Sequence, residues 1–146
     1  MKNHTCEAAL ITCEDFRLHQ RSDGRNYIAE FIKSLGVNCD LITRAGGVQD
    51  IVRPKDKAYC ECELRDLGVS TKLHCAKTLY LVNHTDCGAY KNLNLSTELE
   101  EYNQHKEDLA AAKKIILREY PDLDIKLYLA KLITDKEDEF KMIEIN

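Results

Sequence analysis

Several large classes of protein are excluded by what this chain lacks. None of its apolar runs approaches the length of a membrane span. The N-terminal stretch Met1-Lys2-Asn3-His4-Thr5-Cys6-Glu7 meets an acidic residue before any apolar segment that could act as a signal peptide. Positive charge is not in excess: 21 Lys and Arg face 25 Asp and Glu, for a formal net charge of −4. That balance offers no general attraction to nucleic acid or to an anionic membrane. There is no C-x-x-C pair, so a thioredoxin-like redox site lacks its basic element. Neither G-x-G-x-x-G nor G-x-x-x-x-G-K-[ST] occurs, which removes the usual signals of a nucleotide-binding loop. No internal repeat, linker or low-complexity tract divides the chain.

What is present suits a soluble globular protein, with 44% hydrophobic and 32% charged residues. Its 146 residues read as one domain, 1–146, large enough to bury a single core. Seven cysteines is an odd number. Without an export signal, reduced thiols in the cytoplasm are expected rather than a disulfide framework.

Short apolar runs alternate with helical patterns. Ala8 to Thr12 reads as a fully buried strand, as central strands of parallel sheets do. Ile28, Phe31, Ile32 and Leu35 follow at helical spacing, and Gly36 stops that helix. Cys39 to Thr43 is a second strand. Pro54 opens a helix through about Leu67, interrupted by Gly68, and Ser70 could cap a short helix through Ala76. Thr78 to Val82 is a third strand. Ser96 or Thr97 caps a long helix to about Glu119, ended by Tyr120-Pro121-Asp122. Ile125 to Ile133 is a fourth strand, Thr134 to Asp138 a polar turn, and Phe140 to Ile145 could add a short antiparallel edge strand. The alternation predicts a three-layer α/β domain with a mainly parallel, four-stranded sheet.

Two motifs carry the chemistry. Cys13-Glu14-Asp15-Phe16-Arg17 follows the first strand, and His84-Thr85-Asp86-Cys87-Gly88 follows the third. In open α/β sheets, sites collect at the carboxyl ends of strands. Two thiols and an imidazole there, Cys13, His84 and Cys87, suit a zinc ion with a fourth position open, the arrangement of a catalytic metal. A helix beginning near Gly88 would help to stabilise the Cys87 thiolate. Two thiolates neutralise the ion, so its bound water is less acidic than with three neutral ligands, and such a site works better at higher pH. Asp15, paired with Arg17, could orient that water; unpaired, it could swing onto the metal and close the site.

Cys13-x-Asp15-x-Arg17 followed by His84-x-x-Cys87-Gly88 resembles the β-class carbonic anhydrases and their divergent relatives. A looser match includes Asp40 to Gly47. The resemblance implies a β-carbonic-anhydrase-like fold and a Zn2+ site of Cys13, His84 and Cys87. Asp15 and Arg17 would be the catalytic pair, and zinc-bound hydroxide would hydrate carbon dioxide reversibly to bicarbonate. It also implies a homodimer or higher homo-oligomer, with a small-molecule substrate and no nucleic acid or membrane partner. Phe16 stands where the family typically has serine, Asn83 where it has glycine, and Thr43-Arg44 in place of Arg-Asn. These departures leave two alternatives open. One is a non-catalytic zinc-containing relative that binds bicarbonate or a protein partner. The other is the same site acting on carbonyl sulfide or carbon disulfide.

Other chemistry-bearing residues have plainer readings. Asp86 reads as a cap or a support to the ligands, and Gly46 and Gly47 as backbone packing. His19 reads as a solvated loop histidine. Cys60, Cys62, His74 and Cys75 fall on predicted helices and read as structural or incidental.

Overall fold

A computed structural model describes residues 4–133, 136 and 138–146. The polar turn expected between Thr134 and Asp138 therefore lies partly outside the described residues. Strand β1 (Ala8–Thr12) is buried along its whole length. A 3-10 turn at Phe16–Leu18 leads to helix α1 (Tyr27–Leu35). The Asn26 side chain caps that helix by accepting from the Ala29 amide, and Gly36 closes it in the left-handed conformation at φ 68°. Strand β2 (Cys39–Thr43), helix α2 (Gln49–Val52) and helix α3 (Lys57–Lys72) follow. Strand β3 (Thr78–His84) ends before a second 3-10 turn at Gly88–Leu93. Helix α4 (Glu98–Glu119) starts with a reciprocal capping box between Thr97 and Glu100. Strands β4 (Asp124–Leu132) and β5 (Phe140–Ile145) complete the chain.

The five strands form one sheet in the order β2-β1-β3-β4-β5, parallel except for β5. β1 sits between β2 and β3, with Ala8 opposite both Cys39 and Thr78. The chain leaves β1 for β2 on one side and crosses to β3 on the other. The carboxyl ends of β1 and β3 thus flank the switch point at which open α/β sheets place their crevice. Alternating side chains feed two cores. Ile11, Leu79, Leu81 and Leu129 meet Ile51, Leu67, Leu109 and Ile116 from α2, α3 and α4. On the other face Leu10, Tyr80 and Val82 meet Ile28 and Phe31 of α1. The predicted three-layer architecture and its antiparallel edge strand are both present.

The segment between β2 and β3 departs from expectation. The helix begins at Lys57, not beside Pro54, because the Asp56 carboxylate accepts from the Ala58 amide. It then runs through Gly68 and Ser70 to Lys72 without a break. Gly68 is there for packing: a Cβ at that position would lie 2.9 Å from the Tyr120 hydroxyl, which donates to the Leu64 carbonyl. β3 also extends two residues beyond Val82, since Asn83 and His84 pair with Leu129 and Ala130. His84 is therefore the last residue of a strand, held by backbone on its β4 side.

Candidate metal centre

β1 ends beside β3, with Thr12 opposite Val82 and two residues short of the end of β3. Cys13 follows β1 directly, and His84 closes β3. Cys87 comes back to the same point through a tight turn in which Asp86 takes φ 56°. The side-chain donor atoms of Cys13, His84 and Cys87 all lie within 4.8 Å of one another, and all three residues are buried. The two sulfurs are 3.9 Å apart. Tetrahedral bonds of about 2.3 Å to one ion would place two sulfurs about 3.8 Å apart, so the pair already has the spacing of shared ligation.

Proton placement agrees with that geometry. His84 Nδ1 lies 2.9 Å from the Thr85 carbonyl oxygen. A carbonyl only accepts, so Nδ1 carries the hydrogen and Nε2 presents a lone pair. Nε2 is buried and has no hydrogen-bond partner among the described residues. An orphaned lone pair beside two sulfurs is expensive in a protein interior unless a cation takes it up. The sulfurs behave similarly. The hydrogen bond from the Cys87 thiol draws Cys13 down to about 4 against the cost of burial. That same bond, with burial, pushes Cys87 far up. Without a cation between them, one proton stays shared. The residues therefore fit a thiophilic divalent metal.

Neighbouring groups hold the cluster. The Gly46 amide donates to Cys13 Sγ at 3.3 Å, so this glycine serves the site as well as the backbone. Its neighbour Gly47, at φ 59°, lies so close to Asn83 that a Cβ would come 2.5 Å from Asn83 Oδ1. Asn83 also accepts from the Val48 amide and donates to the Tyr90 hydroxyl, which in turn donates to Asp108. Arg53 completes that buried chain through its ion pair with Asp108. His19 is not a solvated loop residue: its Nε2 donates to the Cys13 carbonyl at 2.7 Å, tying down the turn after β1. The element after Gly88 is a six-residue 3-10 turn and not an α-helix, so support for Cys87 reduces to the local Ala89 amide.

Asp15 and Arg17 form a tight pair at the rim. Arg17 donates to Asp15 through its backbone amide at 2.9 Å, through Nε at 3.1 Å and through Nη2 at 2.7 Å. Burial alone would raise the Asp15 carboxyl, but these bonds outweigh it and hold it below the ordinary value. Asp15 Oδ2 stands 3.8 Å from His84 Nε2. Asp86 braces Arg17 from the other side: its carboxylate accepts from Nη1 at 2.8 Å and its carbonyl from Nη2 at 3.0 Å. The Phe140 ring lies edge-on to His84 at 6.0 Å and under the Arg17 guanidinium at 5.6 Å. Its role was not visible in the sequence, because nothing in the terminal strand signals what its first residue will touch. Phe16 projects from the same rim, 69% exposed. Arg44 turns away to pair with Asp66 on α3.

The fold is shared with solved enzymes. The carbonic anhydrase of Streptococcus mutans aligns over 100% of this chain and 86% of its own, at a TM-score of 0.54 and 21% identity. Beta-carbonic anhydrase isoform I of Trichomonas vaginalis aligns over 99% and 85%, at a TM-score of 0.57 and 16% identity. Both are likenesses of fold. In sequence, an uncharacterised protein of Rickettsia bellii is 31% identical over 129 residues, spanning 84% of this chain and 75% of that protein. The family model "Putative carbonic anhydrase" matches residues 3–143, nearly the whole length, and the chain belongs to that family.

Proposed function

We propose that this chain is a zinc-dependent carbonic anhydrase interconverting carbon dioxide and bicarbonate. One observation carries the reading: two buried sulfurs 3.9 Å apart share a point with an imidazole nitrogen that has no partner among the described residues, beside a carboxylate held by an arginine. In this reading Cys13, His84 and Cys87 hold the ion through Sγ, Nε2 and Sγ. Zinc bound there would supply the Lewis acidity that makes water a competent nucleophile, more fully as pH rises because two thiolates temper the ion's charge.

The remaining steps belong to the chain's own groups. Arg17 keeps Asp15 turned toward the rim, so the carboxylate does not become a fourth ligand. Asp15 Oδ2 accepts a hydrogen from the attacking water and aims its lone pair at the substrate carbon. The Thr85 carbonyl holds the hydrogen on His84 Nδ1 and so fixes the ring orientation. Phe140 walls one side of the site and excludes water from the Arg17–Asp15 pair. The exposed Phe16 beside the pair would be covered by a second copy of the chain, in keeping with a homodimer. All seven cysteines are free thiols, which suits a reducing, cytoplasmic setting.

Metal analysis and stopped-flow carbon dioxide hydration on the same sample test the proposal. Bound zinc with hydration above background is the expected result. Asp15→Asn should keep the metal and lose about 100-fold in kcat, whereas Cys87→Ala should lose the metal itself. A zinc-replete sample without hydration across alkaline pH would overturn the enzymatic reading in favour of a non-catalytic relative.

A further inference from the structure

The amino edge of the sheet carries a second set of metal-binding groups. Cys6 lies just ahead of β1, Asp40 is the second residue of β2, and His74 stands in the turn between α3 and β3. Read from sequence, His74 belonged to a helix. The helix ends at Lys72, and Cys75 takes φ 62° as the chain turns toward β3. The donor atoms of Cys6, Asp40 and His74 lie within 4.8 Å of one another. They approach from three segments that enter three adjacent strands.

We propose that Cys6, Asp40 and His74 form a second site for a divalent first-row transition metal, independent of the centre at the opposite edge. The donor set supports this class of ion. A thiolate and an imidazole select against magnesium and calcium, and one carboxylate leaves the site suited to zinc or cobalt. The backbone is already fixed there: the Cys6 amide donates to the His74 carbonyl at 3.0 Å. The Glu7 carboxylate takes the Asn38 amide at 2.8 Å, and the Glu7 carbonyl takes the amides of Lys77 and Thr78. A site held by strand entries pays little ordering entropy on binding.

His74 also has the outer partner that a metal-bound histidine needs. Its Nδ1 faces Asp40 Oδ2 at 2.6 Å, and its Nε2 meets His4 Nε2 at 3.0 Å. Without metal, the Nδ1 hydrogen is donated to Asp40. A metal taken up at Nδ1 displaces that hydrogen, and the ring's one N–H then sits on Nε2, where it is donated to His4. The Cys6 thiol gives up its proton to solvent on binding. Asp40 and His74 must move apart somewhat, since tetrahedral nitrogen and oxygen ligands sit about 3.3 Å from each other. Both side chains are partly exposed, at 29% and 24%, so that adjustment disturbs no packed core. A site of three protein ligands on a half-open edge leaves its fourth position to water. β1 separates the two centres by about 17 Å, far enough for each to fill without the other.

Cobalt titration of the metal-stripped full chain tests the site, read by equivalents bound and by thiolate-to-cobalt absorbance. The wild type should take two equivalents, with three sulfur–cobalt bonds in all. Cys6→Ser should take one equivalent and lose about one third of the absorbance. Asp40→Asn should weaken the same equivalent and leave the other intact. The double variant Cys13→Ser, Cys87→Ser should keep one equivalent with single-thiolate absorbance. Should the double variant fail to fold, wild type against Cys6→Ser still decides. A single equivalent in the wild type, unaffected by Cys6→Ser, would overturn the second site and leave the first standing.

Discussion

Glu63 of α3 offers a quantitative test of the packing, away from any proposed metal. The residue is 0% exposed, and neither of its carboxyl oxygens has a hydrogen-bond partner among the described residues. Burial pushes its carboxyl from 4.5 up to about 8; Arg44 opposes the shift, and Asp50 and Asp66 reinforce it. Below pH 4.5 the group is protonated in folded and unfolded chains alike. Between 4.5 and 8 the unfolded chain has released a proton that the folded chain retains, so stability falls as pH rises. The slope approaches about 1.4 kcal/mol per pH unit, and from pH 5 to pH 8 the loss is about 3 kcal/mol. Glu63→Gln is neutral throughout and removes that slope. Urea denaturation of both chains at the two pH values reads the difference. With an m-value of about 2 kcal/mol/M, the midpoint of the variant should gain about 1.5 M on the wild type between pH 5 and pH 8. Both chains carry the same cysteines and histidines, so pH-dependent metal binding cancels. A midpoint gap that stays constant between the two pH values would refute the reasoning.

Two further substitutions, with a third as control, test the supports of the site and of the longest helix. Gly47→Ala drives a methyl group into Asn83 at a left-handed backbone position, whereas Gly36→Ala has a positive φ with none of the described residues within 4 Å of the new methyl. Gly47→Ala should cost about 2–3 kcal/mol and Gly36→Ala about 1 kcal/mol in thermal or urea unfolding. Equal costs would show that the contact with Asn83 is soft. Thr97→Ala removes the side-chain acceptor of the α4 capping box and should lower stability by about 1 kcal/mol, measured the same way.

Much of the fold was legible because its strands are short apolar runs bounded by polar residues. Gly36 and Thr97 mark helix ends by local chemistry alone. Gly68 and Ser70 misled for the converse reason. A glycine inside a helix reads as a stop, yet here its missing side chain accommodates Tyr120, a residue from the end of α4 that no local pattern connects to it. The two motifs were visible because each sits at the carboxyl end of a recognisable strand, which is enough to bring Cys13, His84 and Cys87 together. The surroundings were not visible in the same way. Asp86 bracing Arg17, Phe140 edge-on to His84 and Gly46 donating to Cys13 are all tertiary contacts. His74 reads as helical in sequence because the helix end depends on the turn toward β3, and so its meeting with Cys6 and Asp40 is not legible there.

The place of β1 in the sheet sets the order in which the molecule can be made. β1 lies between two neighbours that both follow it in the chain, and the second of them begins only at Thr78. Until then β1 keeps an open edge of apolar residues, a template for the wrong partner. Both its strand partners are distant along the chain, which slows folding compared with hairpin-built sheets. That edge of β1 therefore stays unpaired during synthesis until β3 has been made.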